Sequence, residues 1–130
     1  MPSAREHSRI IAAVRVVFVA IGAEQLGIGV LSAILRRAGH DTRLVFNPAL
    51  FEDRYNLDVP VLKDVFRRDA RIVDEVLAHE PDVLALSPLT VTYRWALSLV
   101  REVKRMRPAT HVVLGGVHAS AVPHVVIAEP

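Results

Sequence analysis

Residues Val14–Ile21 read VRVVFVAI, an apolar run broken only by Arg15. A strand with one wet face would carry a polar residue at every second position. This one does not, so it predicts a strand buried on both faces, the interior of a parallel sheet. Such a strand needs neighbours on either side and helices above and below, and the rest of the chain offers them. Leu26–Ala38 predicts a helix with Gly27, Val30/Leu31, Ile34 and Ala38 on its apolar stripe, Arg36 and Arg37 at the favourable end of its dipole, and Gly39 as its stop. Thr42–Phe46 predicts a second short strand. Val61–His79 places Leu62, Phe66, Val73 and Leu77 on one side of one long helix or a broken pair. Val83–Leu86 is a third strand, Tyr93–Met106 an amphipathic helix through Ala96, Leu99, Val100 and Val103, and HVVLGG a fourth strand running into paired glycines. VPHVVIAEP begins a further helix. Alternation of this kind predicts an α/β, flavodoxin-like (Rossmann-like) parallel sheet of order 2-1-3-4 with helices on both faces. Residues 1–13 are expected to be a loose leader and residues 14–130 one domain, with Pro48–Pro60 (PALFEDRYNLDVP) too long for an ordinary connection and therefore an insertion or lid.

Composition narrows the function. The chain is 52% hydrophobic and 23% charged, with a net charge of +2, and no Lys/Arg stripe interleaves with aromatic residues, so nucleic acid is not an expected partner. It contains no cysteine, which excludes a disulfide scaffold, a thiol nucleophile and a cysteine-held cluster within these residues. The stretch Ile10–Ile21 is interrupted by Arg15 and too short to span a bilayer, so no membrane partner is expected and a cytoplasmic location is the default.

In open α/β sheets ligands bind outside the carboxyl ends of the strands. Three unusual loops fall there: GAEQLGIG, SPLTVT and GGVHAS. A phosphate loop needs Lys and Ser/Thr where Ile28 and Gly29 stand. A dinucleotide fingerprint needs its glycines directly at the strand end, whereas Gly27-Ile28-Gly29 comes five residues late and Asn47 rather than an acid closes the second strand. A phospho-receiver needs an aspartate where Ser87 stands.

Taken together, the loops resemble the cobalamin-binding domain family, whose pattern is DxHxxG after strand 1, SxL after strand 3 and GG after strand 4. Gly27 matches the last glycine of the first element, Ser87-Pro88-Leu89 the second, continued by Thr90, and Gly115-Gly116 the third. The resemblance implies cobalamin as cofactor, with Glu24, Gln25, Leu26, Gly27, Ser87, Leu89, Thr90, Gly115, Gly116 and His118 around it. Small residues at the strand ends would let the backbone approach the nucleotide tail. Ser87 and Thr90 would offer hydroxyls to the benzimidazole nitrogen or to amides. Leu26 would give an apolar contact to the corrin, and Gln25 or Glu24 would meet its amides. Gly22 and Glu24 stand where the family has its aspartate and histidine. The resemblance therefore implies base-off cobalamin without a protein imidazole as lower ligand, the coordinated alternatives being water, nothing, or the Glu24 carboxylate. In this the chain is similar to the amino-terminal domains of cobalamin-dependent radical SAM enzymes, methyltransferases or cyclases among them. S-adenosylmethionine and a 4Fe-4S cluster would then be held by a following catalytic domain outside this chain, and the fragment alone would have no turnover and no catalytic or metal-ligating residue of its own.

Plainer readings exist for the same residues. Gly27 and Gly29 could serve only close helix–sheet packing, Ser87, Thr90 or Thr92 could cap the next helix, and the glycine pair could be just a turn. His118 has no second ligand at metal spacing and suits a partly buried loop position, and Tyr93 and Trp95 suit the core. The acids of FEDRYNLD suit a solvated loop. A Rossmann-like nucleotide-binding or sensor module, or an interaction domain whose loops hold nothing, are the alternatives from other classes.

Overall fold

The computed structural model describes residues 12–22, 25–47 and 70–129. Strand β1 (Arg15–Ile21) pairs in parallel with β2 (Asp41–Asn47) on one side and β3 (Val83–Leu86) on the other, and β4 (His111–Leu114) pairs with β3. The order is β2-β1-β3-β4, as the sequence predicts. Helix α1 (Leu26–Arg37) links β1 to β2. The helix α2, described at residues 70–78, precedes β3. A single 3-10 turn at Thr90–Thr92 leads into α3 (Tyr93–Met106), and α4 (Gly116–Ala121) and α5 (Pro123–Ile127) follow β4. The expected leader falls mostly outside the described residues, as do the Pro48–Pro60 insertion and residues 61–69 of the expected second helix.

Burial of Val16 through Ala20 is nearly complete, which accounts for the unbroken apolar run. Val17 and Val19 join Val45, Leu84 and Leu86 on one face, where Ile72 and Val76 of α2 and Trp95, Ala96, Leu99 and Val103 of α3 cover them. Val16, Phe18, Ala20 and Ala85 face the other way, against Ile28 and Leu35 of α1. On that same face Val113 of β4, in register with Ala85, stays 53% exposed.

Helix α1 corrects one expectation. The stripe Gly27, Val30/Leu31, Ile34 does not face the sheet. Ile28 is the buried position, and Val30, Leu31 and Ile34 are all more than half exposed. A polar lock sets this phase. Ser32 Oγ lies 2.7 Å from Thr42 Oγ1, and the Arg36 guanidinium donates to Thr42 Oγ1 at 2.6 Å and to Thr42 O at 3.2 Å. Thr42 is buried on β2, so its hydroxyl needs partners, and satisfying it turns Ser32 and Arg36 inward. A second correction concerns GGVHAS, expected as a loop. It is the short helix α4, and Pro123 at the first position of α5 starts a new helix two residues after α4 ends.

The opposite, amino-terminal edge of the sheet is tied by Asp82. Its carboxylate accepts from Arg15 N at 2.8 Å, and its own backbone bonds to both neighbouring strands, with Asp82 N to Arg15 O and His111 N to Asp82 O at 2.9 Å each. The Arg15 side chain adds ion pairs to Glu80 at 2.7 Å and to Asp82 at 3.6 Å.

Two outcomes are expected. Leu84 is fully buried at the centre of the sheet, so Leu84→Ala should lower stability by about 2–5 kcal/mol in urea unfolding. The Asp82 pKa is lowered, chiefly by the hydrogen bond from Arg15 N and then by the Arg15 side chain, against a smaller opposing effect of burial. Its folded pKa therefore lies below the unfolded one. The stabilisation is present above the ordinary carboxylate range and lost as pH falls through the folded value. Asp82→Asn should make the acid limb of a stability–pH curve shallower, and an unchanged limb would contradict this.

Candidate functional site

The three loops meet at the carboxyl ends of β1, β3 and β4, and the contacts among them are specific. After β1, Gly22 takes φ +77, a left-handed conformation that favours glycine, and its N–H donates to Asn47 O at 2.9 Å. Glu24 lies outside the described residues. Gln25 precedes α1, its carbonyl accepts from Ile28 N at 3.0 Å, and its side-chain Nε2 donates to Ser87 O at 3.3 Å. The first loop is thereby joined to the third.

After β3, Ser87 is followed by a fully buried Pro88, and Leu89 is 56% exposed. Thr92 closes the 3-10 turn by accepting from Leu89 N at 2.9 Å through Oγ1. Of the three capping candidates, Thr92 thus engages the backbone at the start of the turn, while neither Ser87 nor Thr90 caps the turn or α3. After β4, Gly115 N donates to Leu86 O at 2.9 Å, and Gly116 takes φ +84. A Cβ on Gly116 would overlap Ser87 Oγ. Of the paired glycines, then, only Gly116 is required to be one by its surroundings, since a Cβ on Gly115 would meet nothing. The pair is more than a turn, because it seats the fourth loop on the Ser87 side chain.

His118, in the first turn of α4, shares a hydrogen bond with Thr90 through Nδ1 at 3.1 Å and packs against Tyr93 with ring centroids 4.2 Å apart and the rings tilted by 38°. Tyr93 is thus both the core residue expected and a neighbour of the site that sequence reasoning missed. The signal for it was positional: Tyr93 and His118 each stand just inside a helix that begins at a strand end. Leu26 is 84% exposed and Gly27 has open space around its Cα, so neither packs on the sheet. Gly29 is equally open, which removes the close-packing explanation for both α1 glycines. They also sit inside α1 rather than in the turn before it, so they do not form a dinucleotide loop.

The structure therefore joins Gln25, Ser87 and Gly116 in one contact set and Thr90 and His118 in another, with Leu26 and Leu89 exposed at the same edge. Its unsatisfied groups gather there too. Among the described residues, three buried side-chain atoms lack a hydrogen-bond partner: Gln25 Oε1, Tyr93 Oη and His118 Nε2. Burial raises the Tyr93 pKa, with Glu129 adding to the effect and Arg101 opposing it, so its phenol is neutral. A cavity of about 520 Å3 runs beside α1, lined by Gln25, Leu26 and Ile28 with Phe18, Leu44 and Phe46 of the sheet. Another, about 570 Å3, lies between α2 and α3 and includes none of the loop residues. Among the described residues no group of His, Cys, Asp and Glu could hold a metal ion.

The parallel sheet of order 2-1-3-4 with helices on both faces places the chain in the flavodoxin-like class, and three of its loops are joined at the carboxyl edge where such folds bind ligands. The B12 binding domain family model matches residues 13–129, and the chain belongs to that family. That membership supports cobalamin as the cofactor. No curated protein and no solved structure matches the chain. Among the described residues, no helix is long and apolar enough to cross a membrane.

The Ser87–Gly116 contact makes a quantitative prediction. Gly116→Ala should cost about 1–3 kcal/mol from the left-handed backbone alone, plus the overlap with Ser87 Oγ. In a Ser87→Gly background the overlap disappears and only the backbone part remains. A double-mutant cycle by urea unfolding should show that coupling, and strict additivity would refute the contact.

Proposed function

We propose that this domain binds cobalamin base-off, without a protein histidine as lower ligand, as the cofactor domain of a cytoplasmic radical SAM enzyme, a methyltransferase. The observation that carries the absence of a lower histidine is the first loop. Gly22, at the place of the family's aspartate, holds φ +77, and Glu24 stands where the histidine belongs. His118, in the fourth loop, is engaged through Nδ1 with Thr90 and through its ring with Tyr93. It would lie beside the cofactor rather than on cobalt.

Bound cobalamin would supply methyl-transfer or electron-transfer chemistry at cobalt, and the chain's own contribution is positioning. Ser87, Leu89, Thr90, Gly115 and Gly116 would line the nucleotide tail, with the bare Cα of Gly116 letting the loop after β4 close onto Ser87. Leu26 and Gly27 would meet the ring, and Gln25 an edge amide. S-adenosylmethionine and the 4Fe-4S cluster would be held by a catalytic domain beyond these residues, since the chain has no cysteine for cluster ligation.

Hydroxocobalamin mixed with the purified chain and passed through gel filtration tests the reading. The protein peak should retain a corrinoid with a base-off spectrum and gain unfolding temperature with cofactor concentration. Ser87→Leu or Gly116→Leu should weaken retention by about tenfold or more. A folded but colourless peak, or a base-on spectrum, would count against it.

A further inference from the structure

We infer that the cavity between α1 and β2 is a second ligand site, and that it takes a small organic anion with an apolar body, of the class of a medium-chain carboxylate. Phe18 of β1, Ile28 of α1 and the exposed Leu44 and Phe46 of β2 give it an apolar lining. On the α1 side the lining is kept low by Gly29 and Ala33. A Cβ on Gly29 would meet nothing within 4 Å, so no packing inside the chain calls for a glycine there. Glycine inside a helix is destabilising, and what it provides at this position is room beside the cavity. The volume, about 520 Å3, falls in the range of small-molecule sites.

The polar end of the cavity is Arg36. Its Nε donates to Thr42 Oγ1 at 2.6 Å and its Nη2 to Thr42 O at 3.2 Å, which fixes the plane of the guanidinium. Nη1 is left without a partner among the described residues, and Arg36 is an exposed residue rather than one closed off from solvent. Among the described residues no carboxylate lines the cavity, and Asp41, the one acid of β2, is paired with Arg43 at 3.4 Å. Arg37 adds a second cation to the last turn of α1, and two full charges outweigh the half charge at the negative end of the helix. A pre-oriented guanidinium without a counter-ion is matched by a carboxylate, and the alkyl body of the same ligand covers Leu44 and Phe46. Leu26 and Arg36 stand ten residues apart on α1, about 15 Å, so the anion end is remote from the loop edge where cobalamin would sit. The site is therefore independent of the cobalamin reading.

The test titrates octanoate, octan-1-ol and octylammonium into the isotope-labelled full chain and follows its backbone amide shifts by NMR. Octanoate should give saturable shifts centred on residues 29–36 and 44–46. It should bind about fivefold tighter than octan-1-ol, with octylammonium weaker than either. These comparisons use the unsubstituted chain, so they stand whatever a substitution does to folding. Phe46→Glu sets an acid at an exposed position of the apolar wall and should weaken octanoate by about tenfold. Arg36→Met should erase the preference for octanoate over octan-1-ol and leave the alcohol's affinity in place. Absence of saturable shifts at these amides, equal binding of the three compounds, or undiminished octanoate binding by Phe46→Glu would overturn the site. Shifts centred instead on the loop edge or between α2 and α3 would overturn it as well.

Discussion

Everything in this domain is arranged around a strand that cannot touch water. With Val16 through Ala20 buried, β1 has to lie inside the sheet and be covered above and below. Its parallel pairing with β2 on one side and β3 on the other fixes the point at which the chain reverses direction across the sheet. The loops that leave β1 and β3 are then neighbours at one edge, and β4 brings a third beside them. No residue of the candidate site has to be attracted to the others. Burial of one apolar strand delivers them to the same place.

Close approach and hydrogen bonding do the finer work. Gly116 lets the fourth loop sit on Ser87, and Gln25 ties the first loop to the carbonyl of the same serine. Ser87 is therefore the point through which the three loops are coupled, by its side chain on one side and its main chain on the other. A second link, from Thr90 to His118 and on to the Tyr93 ring, holds α4 against the start of α3. The two sets are separate in their contacts but share the segment Ser87–Thr90, so a ligand that moves this segment is felt by both.

Much of the fold was legible because it follows from local pattern. β3 and α3 begin and end where the sequence pattern places them, β3 as a short apolar run buried on both faces and α3 as a helix with one buried face, with clear stops at Pro88 and Pro108. The phase of α1 was not legible. Its apolar residues are numerous enough to suggest a stripe, but the face that packs is chosen by Thr42, a buried hydroxyl on another strand whose partners Ser32 and Arg36 must turn toward it. Helix α4 was hidden for a related reason. The glycine pair reads as a break, yet only Gly116 has a left-handed φ, and the residues after it are free to turn helical. At the site, Ser87 and Gly116 were singled out by their resemblance to the family's motifs at the strand ends, whereas Tyr93 was read for the core alone, because its second role depends on a histidine 25 positions away in the chain.

The unpaired atoms of the site bear on how binding and stability are linked. Each buried polar group without a partner destabilises the ligand-free fold, by roughly 1–3 kcal/mol for an ordinary case. Gln25 Oε1, Tyr93 Oη and His118 Nε2 are all of this kind, Tyr93 being at once a core residue and a neighbour of the loop edge. At the same edge Leu26 and Leu89 leave apolar surface in water. Each of the three polar atoms is closed to solvent in the ligand-free domain, so a ligand could pair with one only if the side chain that carries it turned outward. Any energy regained there would be set against the cost of opening the loop edge.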